Sequence, residues 1–178
     1  MPPDTGTGAR WTGVVFVADQ ITLKVGFPAA RATLGRLIGG ELLRRASEDA
    51  YGEGLTRLSR AGPVRPLPGS RGLAQVRRGE LAVQDGSARV PLRWETAGSP
   101  GERFPVLDAD LTLIAAGENT TVLALTGAYR PPPGLTAAGS DPRVVRRCAA
   151  DTIGGFLALL GSAIRHPAGR AEPAHLAS

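Results

Sequence analysis

The chemistry open to this chain is limited first by its histidines, of which there are two, His166 and His175. A Ser-His-Asp or Cys-His arrangement needs a histidine within hydrogen-bond reach of the nucleophile. Both histidines follow the last strongly periodic segment, so that geometry is not expected, and a histidine-based metal site fails for the same reason. The single cysteine, Cys148, can form neither an internal disulfide nor a thiolate cluster, and on an apolar helix stripe its thiol is expected to be inert. No metal and no cofactor is expected. Asp108-Ala109-Asp110 is a paired-carboxylate motif that could do acid–base work, but its spacing puts both carboxylates on the face of a strand turned to water. A solvated cross-strand charge ladder with Arg93 and Glu95 is the expected role. If the faces were inverted, Asp108 with Arg93 would be a polar anchor for a ligand. Tyr129 is the one weak catalytic candidate: a phenol with an ordinary pKa of about 10 is a neutral hydrogen-bond donor at pH 7. Gly6-Thr7-Gly8 lacks the strand–loop–helix setting and the lysine of a phosphate loop.

With 178 residues the chain is long enough for one domain with a real core. Its net charge of +5 rests almost wholly on arginine, Lys24 being the lone lysine. The arginines are scattered, and none of their doublets (Arg44-Arg45, Arg77-Arg78, Arg146-Arg147) interleaves with the few aromatics. Nucleic-acid binding would want clustered cations and stacking rings, so no nucleic-acid partner is expected. No run of about eighteen apolar residues marks a membrane span, and MPPDTGTGAR has no export-signal pattern. A cytoplasmic protein is the expectation.

The elements that must position any site follow from periodicity. Ile21, Leu23, Val25 and Phe27 alternate as one face of a first strand within residues 11–27. Pro28 ends it and suits the first turn of a helix over residues 28–38, which Gly39-Gly40 breaks. A second helix follows from Glu41, weakened by Gly52 and Gly54. Residues 62–72, with three prolines and three glycines, read as a crossing loop. Hairpin strands resume at Leu73. Asp85-Gly86 predicts a type I′ turn, Gly98-Ser99-Pro100-Gly101 a looser connection, and Gly117-Glu118-Asn119 a turn into the strand that ends at Arg130. Pro131-Pro132-Pro133 stops the sheet. A long helix then runs from Asp141, its N-cap, to Arg165. Its stripe takes in Val145, Cys148, Ala149, Thr152, Phe156, Leu159, Leu160 and Ala163. Residues 1–10 and 167–178 read as loose tails around one domain of residues 11–166.

Alternation also assigns faces. Leu107, Ala109, Leu111 and Leu113 form a wholly apolar set that must face the helix. Val90, Leu92 and Trp94 turn inward on the strand before, and Leu123, Leu125 and Tyr129 on the strand after, with Gly127 giving room. Phe104 opens the central strand. Trp94, Leu111, Leu125 and Tyr129 therefore converge on Phe156 and Leu160 of the long helix, and with Phe104 and Leu107 these are the candidate ligand-binding residues. Such a cluster is either a filled core or a pocket wall. The polar ends of Trp94 and Tyr129 suit a cavity mouth. Gly154-Gly155, in mid-helix, either admits a ligand or marks a tight contact.

The order strand, two short helices, hairpin strands, long closing helix resembles the START-like helix-grip superfamily, often called SRPBCC, with its polyketide cyclase/dehydrase-like bacterial members. The stretch VPLRWETAGSPGERFPVLDADLTLIAAGENTTVLALTGAYRPPPG, residues 90–134, looks like the sheet of those proteins, and the helix from Asp141 looks like their closing helix. The resemblance implies an α+β helix-grip fold, a curved antiparallel sheet wrapped around a long C-terminal helix with two short helices after the first strand. It also implies a cavity between sheet and helix. The expected function is binding of a small hydrophobic molecule, such as a polyketide, a lipid or an aromatic metabolite. The alternatives are an aromatase/cyclase-like or hydrolase-like enzyme, in which Tyr129 or an arginine polarises a carbonyl, and a dimerising interaction module acting as a homodimer.

Overall fold

The computed structural model describes residues 13–61, 74–96, 105–132 and 141–167. The expected tail at residues 1–10, the loop at residues 62–72, the Gly98–Gly101 connection, Phe104 and His175 lie outside the described residues. In chain order the elements are β1 (Val15–Leu23), α1 (Phe27–Gly39), α2 (Glu41–Ala61), β2 (Ala74–Arg78), β3 (Ala82–Gln84), β4 (Ser87–Thr96), β5 (Val106–Gly117), β6 (Thr120–Arg130) and α3 (Pro142–Arg165). The strands form one antiparallel sheet in the order β1-β6-β5-β4-β2, with β3 also paired to β4. One face of this sheet packs on α3 and α2, and the other faces water. This is the α+β helix-grip architecture that the element order predicts.

Local chemistry accounts for the boundaries. Pro28 occupies the first turn of α1, where its missing N–H is not needed, and Gly40 leaves that helix in an extended conformation. α2 runs unbroken through Gly52 and Gly54. Asp141 caps α3 by accepting a hydrogen bond from the Arg143 backbone N–H at 2.8 Å. The β3–β4 hairpin turns at Asp85-Gly86, but not in the type I′ form: among the described residues only glycines have positive φ, and in this turn that residue is Gly86, at 71°. Asp85 therefore never enters the left-handed region that type I′ requires of both central residues.

The faces fall as alternation predicts. Val90, Leu92, Trp94, Leu107, Ala109, Leu111, Leu113, Leu123, Leu125 and Tyr129 are all buried. Gly127 has no room for a side chain: a Cβ there would stand 2.3 Å from the Asp108 carbonyl oxygen and 2.6 Å from Ala109 Cα. Only a residue without a side chain fits at this point of the β5–β6 pairing.

The stripe of α3 differs from the expected one. Leu159 is 43% exposed, while Ile153, Leu157 and Ile164 are buried. The cause is that α3 serves two neighbours in turn. Near its middle Thr152 meets Gly54 of α2, and further on Gly161 meets Ile21 and Leu23 of β1. The buried face rotates from one neighbour to the other, so a single fixed stripe misplaces its second half. By length and composition α3 could cross a membrane, but here it is the core helix, with Phe156, Leu157 and Leu160 fully enclosed.

Candidate functional site

The outward face carries the charges. Arg93 Nη1 donates to Asp108 Oδ1 at 2.7 Å and Arg93 Nε to Glu95 Oε2 at 2.9 Å; Arg77 reaches Glu95 Oε1 at 2.9 Å. Arg130 closes on the other Asp108 oxygen, and Arg89 lies 3.5 Å from Asp110. Asp108 and Arg93 are direct cross-strand partners in the β4–β5 register. Both carboxylates of the Asp-Ala-Asp motif are thus engaged by arginines at the edge of solvent, and neither faces the helix. This is a charge ladder, worth little in net stability where it is exposed.

The inward cluster divides into two parts. Leu111, Leu125 and Leu160 have no exposure at all. Trp94 and Phe156 meet edge to face, their ring centroids 4.9 Å apart at 85°, the arrangement that the ring quadrupoles favour. These side chains make solid core. Beside Trp94 there is a small hollow bordered by Trp94, Leu107, Tyr129, Tyr51, Gly54, Pro105, Ala149, Thr152 and Ile153. It leaves about 10 Å³ for the centre of a water-sized sphere, which is room for roughly one water molecule. Of the residues singled out from the sequence, Trp94, Leu107 and Tyr129 border this hollow. Leu111, Leu125, Phe156 and Leu160 lie in the packing around it.

Gly155 does not open toward the hollow. It is exposed, with nothing within 4 Å of where a Cβ would stand. Gly54, not Gly155, borders the hollow, from α2. Tyr51 was also missed. Its position eight residues after Leu43 and seven before Leu58 places it on the buried stripe of α2, and an aromatic with a hydroxyl on such a stripe was the available signal.

Tyr51 ties α2 to the sheet. Its hydroxyl donates to the Pro105 carbonyl at 2.7 Å and lies 2.9 Å from Thr96 Oγ1. Its one proton is used on Pro105, so Thr96 is the donor of the second bond. Burial pushes the Tyr51 phenol up to about 12; the Thr96 hydrogen bond opposes this and the charge of Glu95 adds to it. Tyr129 is raised well above the ordinary tyrosine range, again chiefly by burial, with Tyr51 and Cys148 contributing. Both phenols are therefore neutral at physiological pH. Burial likewise raises the Cys148 thiol, with the Asp151 charge adding and Arg57 and Arg147 opposing. That keeps the thiol protonated. Thr152 Oγ1 donates to the Cys148 carbonyl at 2.7 Å. Trp94 Nε1 is buried with no hydrogen-bond partner among the described residues. His166 stands at the C-terminal cap of α3, exposed and away from the hollow.

No protein-family profile matches the chain. No curated protein matches it either. Solved structures do. A hypothetical protein of Helicobacter pylori aligns with a TM-score of 0.46 at 9% identity, covering 85% of this chain and 88% of that one. The Zhui aromatase/cyclase from a Streptomyces species aligns at 0.39 and 13% identity, covering 89% and 98%. Norcoclaurine synthase of Thalictrum flavum aligns at 0.38 and 8% identity, covering 85% and 94%.

Proposed function

We propose that this protein binds a small hydrophobic molecule between its sheet and α3, with the hollow beside Trp94 as the seed of the site. The supporting observation is that a small hollow lies where β4, β5, β6, α2 and α3 meet, bordered by Trp94 and Tyr129 among apolar groups. Its present size sets a condition. A benzene-sized guest occupies a cavity of about 150 Å³, so binding requires the walls to part. α2 is the wall that moves. Its ion pairs, Arg44 with Glu41 and Glu48 and Arg57 with Glu53, stay within the helix. Among the described residues, its side-chain hydrogen bonds to the sheet side come from Tyr51 alone.

The test is a titration with indane of a Trp11→Phe variant, in which all tryptophan emission comes from Trp94, followed by that emission and by calorimetry. Saturable 1:1 binding with a change in Trp94 emission is expected. Ala149→Leu, which fills the hollow, should abolish both. The absence of any saturable binding sinks the reading.

One observation favours a catalytic variant of this reading: Tyr129 borders the hollow as a phenol that cannot ionise at neutral pH. Such a group can donate a hydrogen bond to a carbonyl but cannot act as a base. In that case Tyr129→Phe keeps binding and loses turnover. A Tyr129→Phe variant that keeps full turnover overturns the role of Tyr129, and a wild-type protein that binds with no turnover is a binder only.

A further inference from the structure

We infer that Trp94 Nε1 is the donor of a built recognition site for an acceptor oxygen, filled by a water in the free protein and by a carbonyl oxygen when a ligand is bound. The ligand part of this inference rests on the binding function proposed above. The site is defined by three facts. Trp94 is 1% exposed, and its Nε1 hydrogen has no partner among the described residues. A buried donor left unmatched is costly, and native interiors rarely tolerate one. The hollow that Trp94 borders has room for about one water.

The other polar groups around the hollow sharpen the chemistry. The Tyr51 proton is used on the Pro105 carbonyl, and the Thr152 proton on the Cys148 carbonyl. Neither can donate to a guest. Tyr129 is a neutral phenol, so it can stand beside Trp94 as a second donor. The hollow thus offers hydrogen-bond donors in an apolar surround and no charge to match an ion. An acceptor oxygen is the partner that the Trp94 donor lacks. Among hydrophobic molecules this selects those carrying a ketone or similar carbonyl over pure hydrocarbons. A water already in place would be displaced by that oxygen without loss of the Trp94 hydrogen bond.

The experiment compares 1-indanone with indane, which match in shape and differ in the carbonyl. Wild-type protein should favour 1-indanone, and Trp94→Phe should lower the ratio of the two affinities by roughly three- to tenfold, the worth of one net hydrogen bond. An unchanged ratio in a folded Trp94→Phe variant overturns the inference while leaving the binding function standing. Independently of any variant, the Trp94 indole N–H resonance reports the site directly. In free protein it should show magnetisation transfer from a long-lived water. On titration 1-indanone should remove that transfer and shift the resonance downfield, and indane should remove it without the shift. If neither compound binds, the binding function falls, and the water signal alone then decides whether the acceptor site exists. An upfield indole proton with no water contact would mean that Nε1 points into the Phe156 ring, and that would overturn the inference.

Discussion

Gly54 of α2 faces Thr152 of α3 with room for a hydrogen and nothing larger: a Cβ at residue 54 would stand 2.9 Å from Thr152 Oγ1 and 3.2 Å from its Cγ2. Thr152 cannot swing aside freely, because it is β-branched and its hydroxyl is bonded to the Cys148 carbonyl. Helix propensity alone would make Gly54→Ala stabilising by about 1 kcal/mol. The contact reverses the sign, and a net loss of about 1–2 kcal/mol is expected. In a Thr152→Ala background the clash disappears and Gly54→Ala should become stabilising. Urea unfolding of the four proteins in this cycle checks the coupling. Additive effects would show that the two helices do not meet as described.

Two other glycines should respond in opposite directions. Gly127→Ala places a methyl 2.3 Å from a backbone carbonyl oxygen, and backbone cannot rotate away as a side-chain end can. A loss of more than about 3 kcal/mol is expected, at the severe end of single substitutions. Gly155→Ala meets nothing within 4 Å on an exposed helix face, so it should gain about 1 kcal/mol from propensity. Thermal melts of the two variants should move apart, one down and one up.

The legibility of this chain in its sequence follows the same physics. The sheet faces could be read because strand alternation has a period of two and one face is continuously apolar: Leu107, Ala109, Leu111 and Leu113 left no second choice. Asp141-Pro142 fixed the start of α3 because capping is local chemistry. The course of the α3 stripe was not legible, since it depends on α3 leaning on α2 at Gly54 and then on β1 at Ile21, contacts far apart in sequence. The hollow was legible only in part. Trp94, Leu107 and Tyr129 come from strand alternation, and Thr152 and Tyr51 lie on the buried stripes of their helices, but that Gly54 and Tyr51 of α2 meet them at one hollow depends on packing between elements far apart in sequence.

Tyr51→Phe separates stability from access. The ring stays and fills the same space, while the bonds to Pro105 and Thr96 are lost. Leaving those partners unmatched should cost about 1–3 kcal/mol of stability. If α2 is the wall that moves, the same variant should admit indane faster than wild type in stopped-flow mixing monitored by Trp94 emission. A slower or unchanged entry rate would place the opening elsewhere.

The alkaline limb of stability should belong to Cys148 at its start and, above about pH 10, to Tyr51 and Tyr129, the only tyrosines in the chain. In the unfolded chain each phenol ionises near its ordinary pKa of about 10. In the folded protein Tyr51 is held at about 12 and Tyr129 well above its usual range, both first by burial. Above about pH 10 the unfolded state therefore binds fewer protons than the folded one, and stability falls as pH rises. The stabilising contribution is complete below about pH 10 and lost between there and the folded pKa values, at about 1.4 kcal/mol per pH unit for each phenol. Urea midpoints should fall gently from about pH 8.5, where the thiol of unfolded Cys148 ionises, and more steeply above about pH 10, with tyrosinate absorbance appearing only as the protein unfolds. Tyr129→Phe should make the decline shallower by about half, whatever its effect at neutral pH. Tyrosinate absorbance rising near pH 10 in protein that remains folded would mean that these phenols reach water, and that the hollow beside Trp94 is open to solvent.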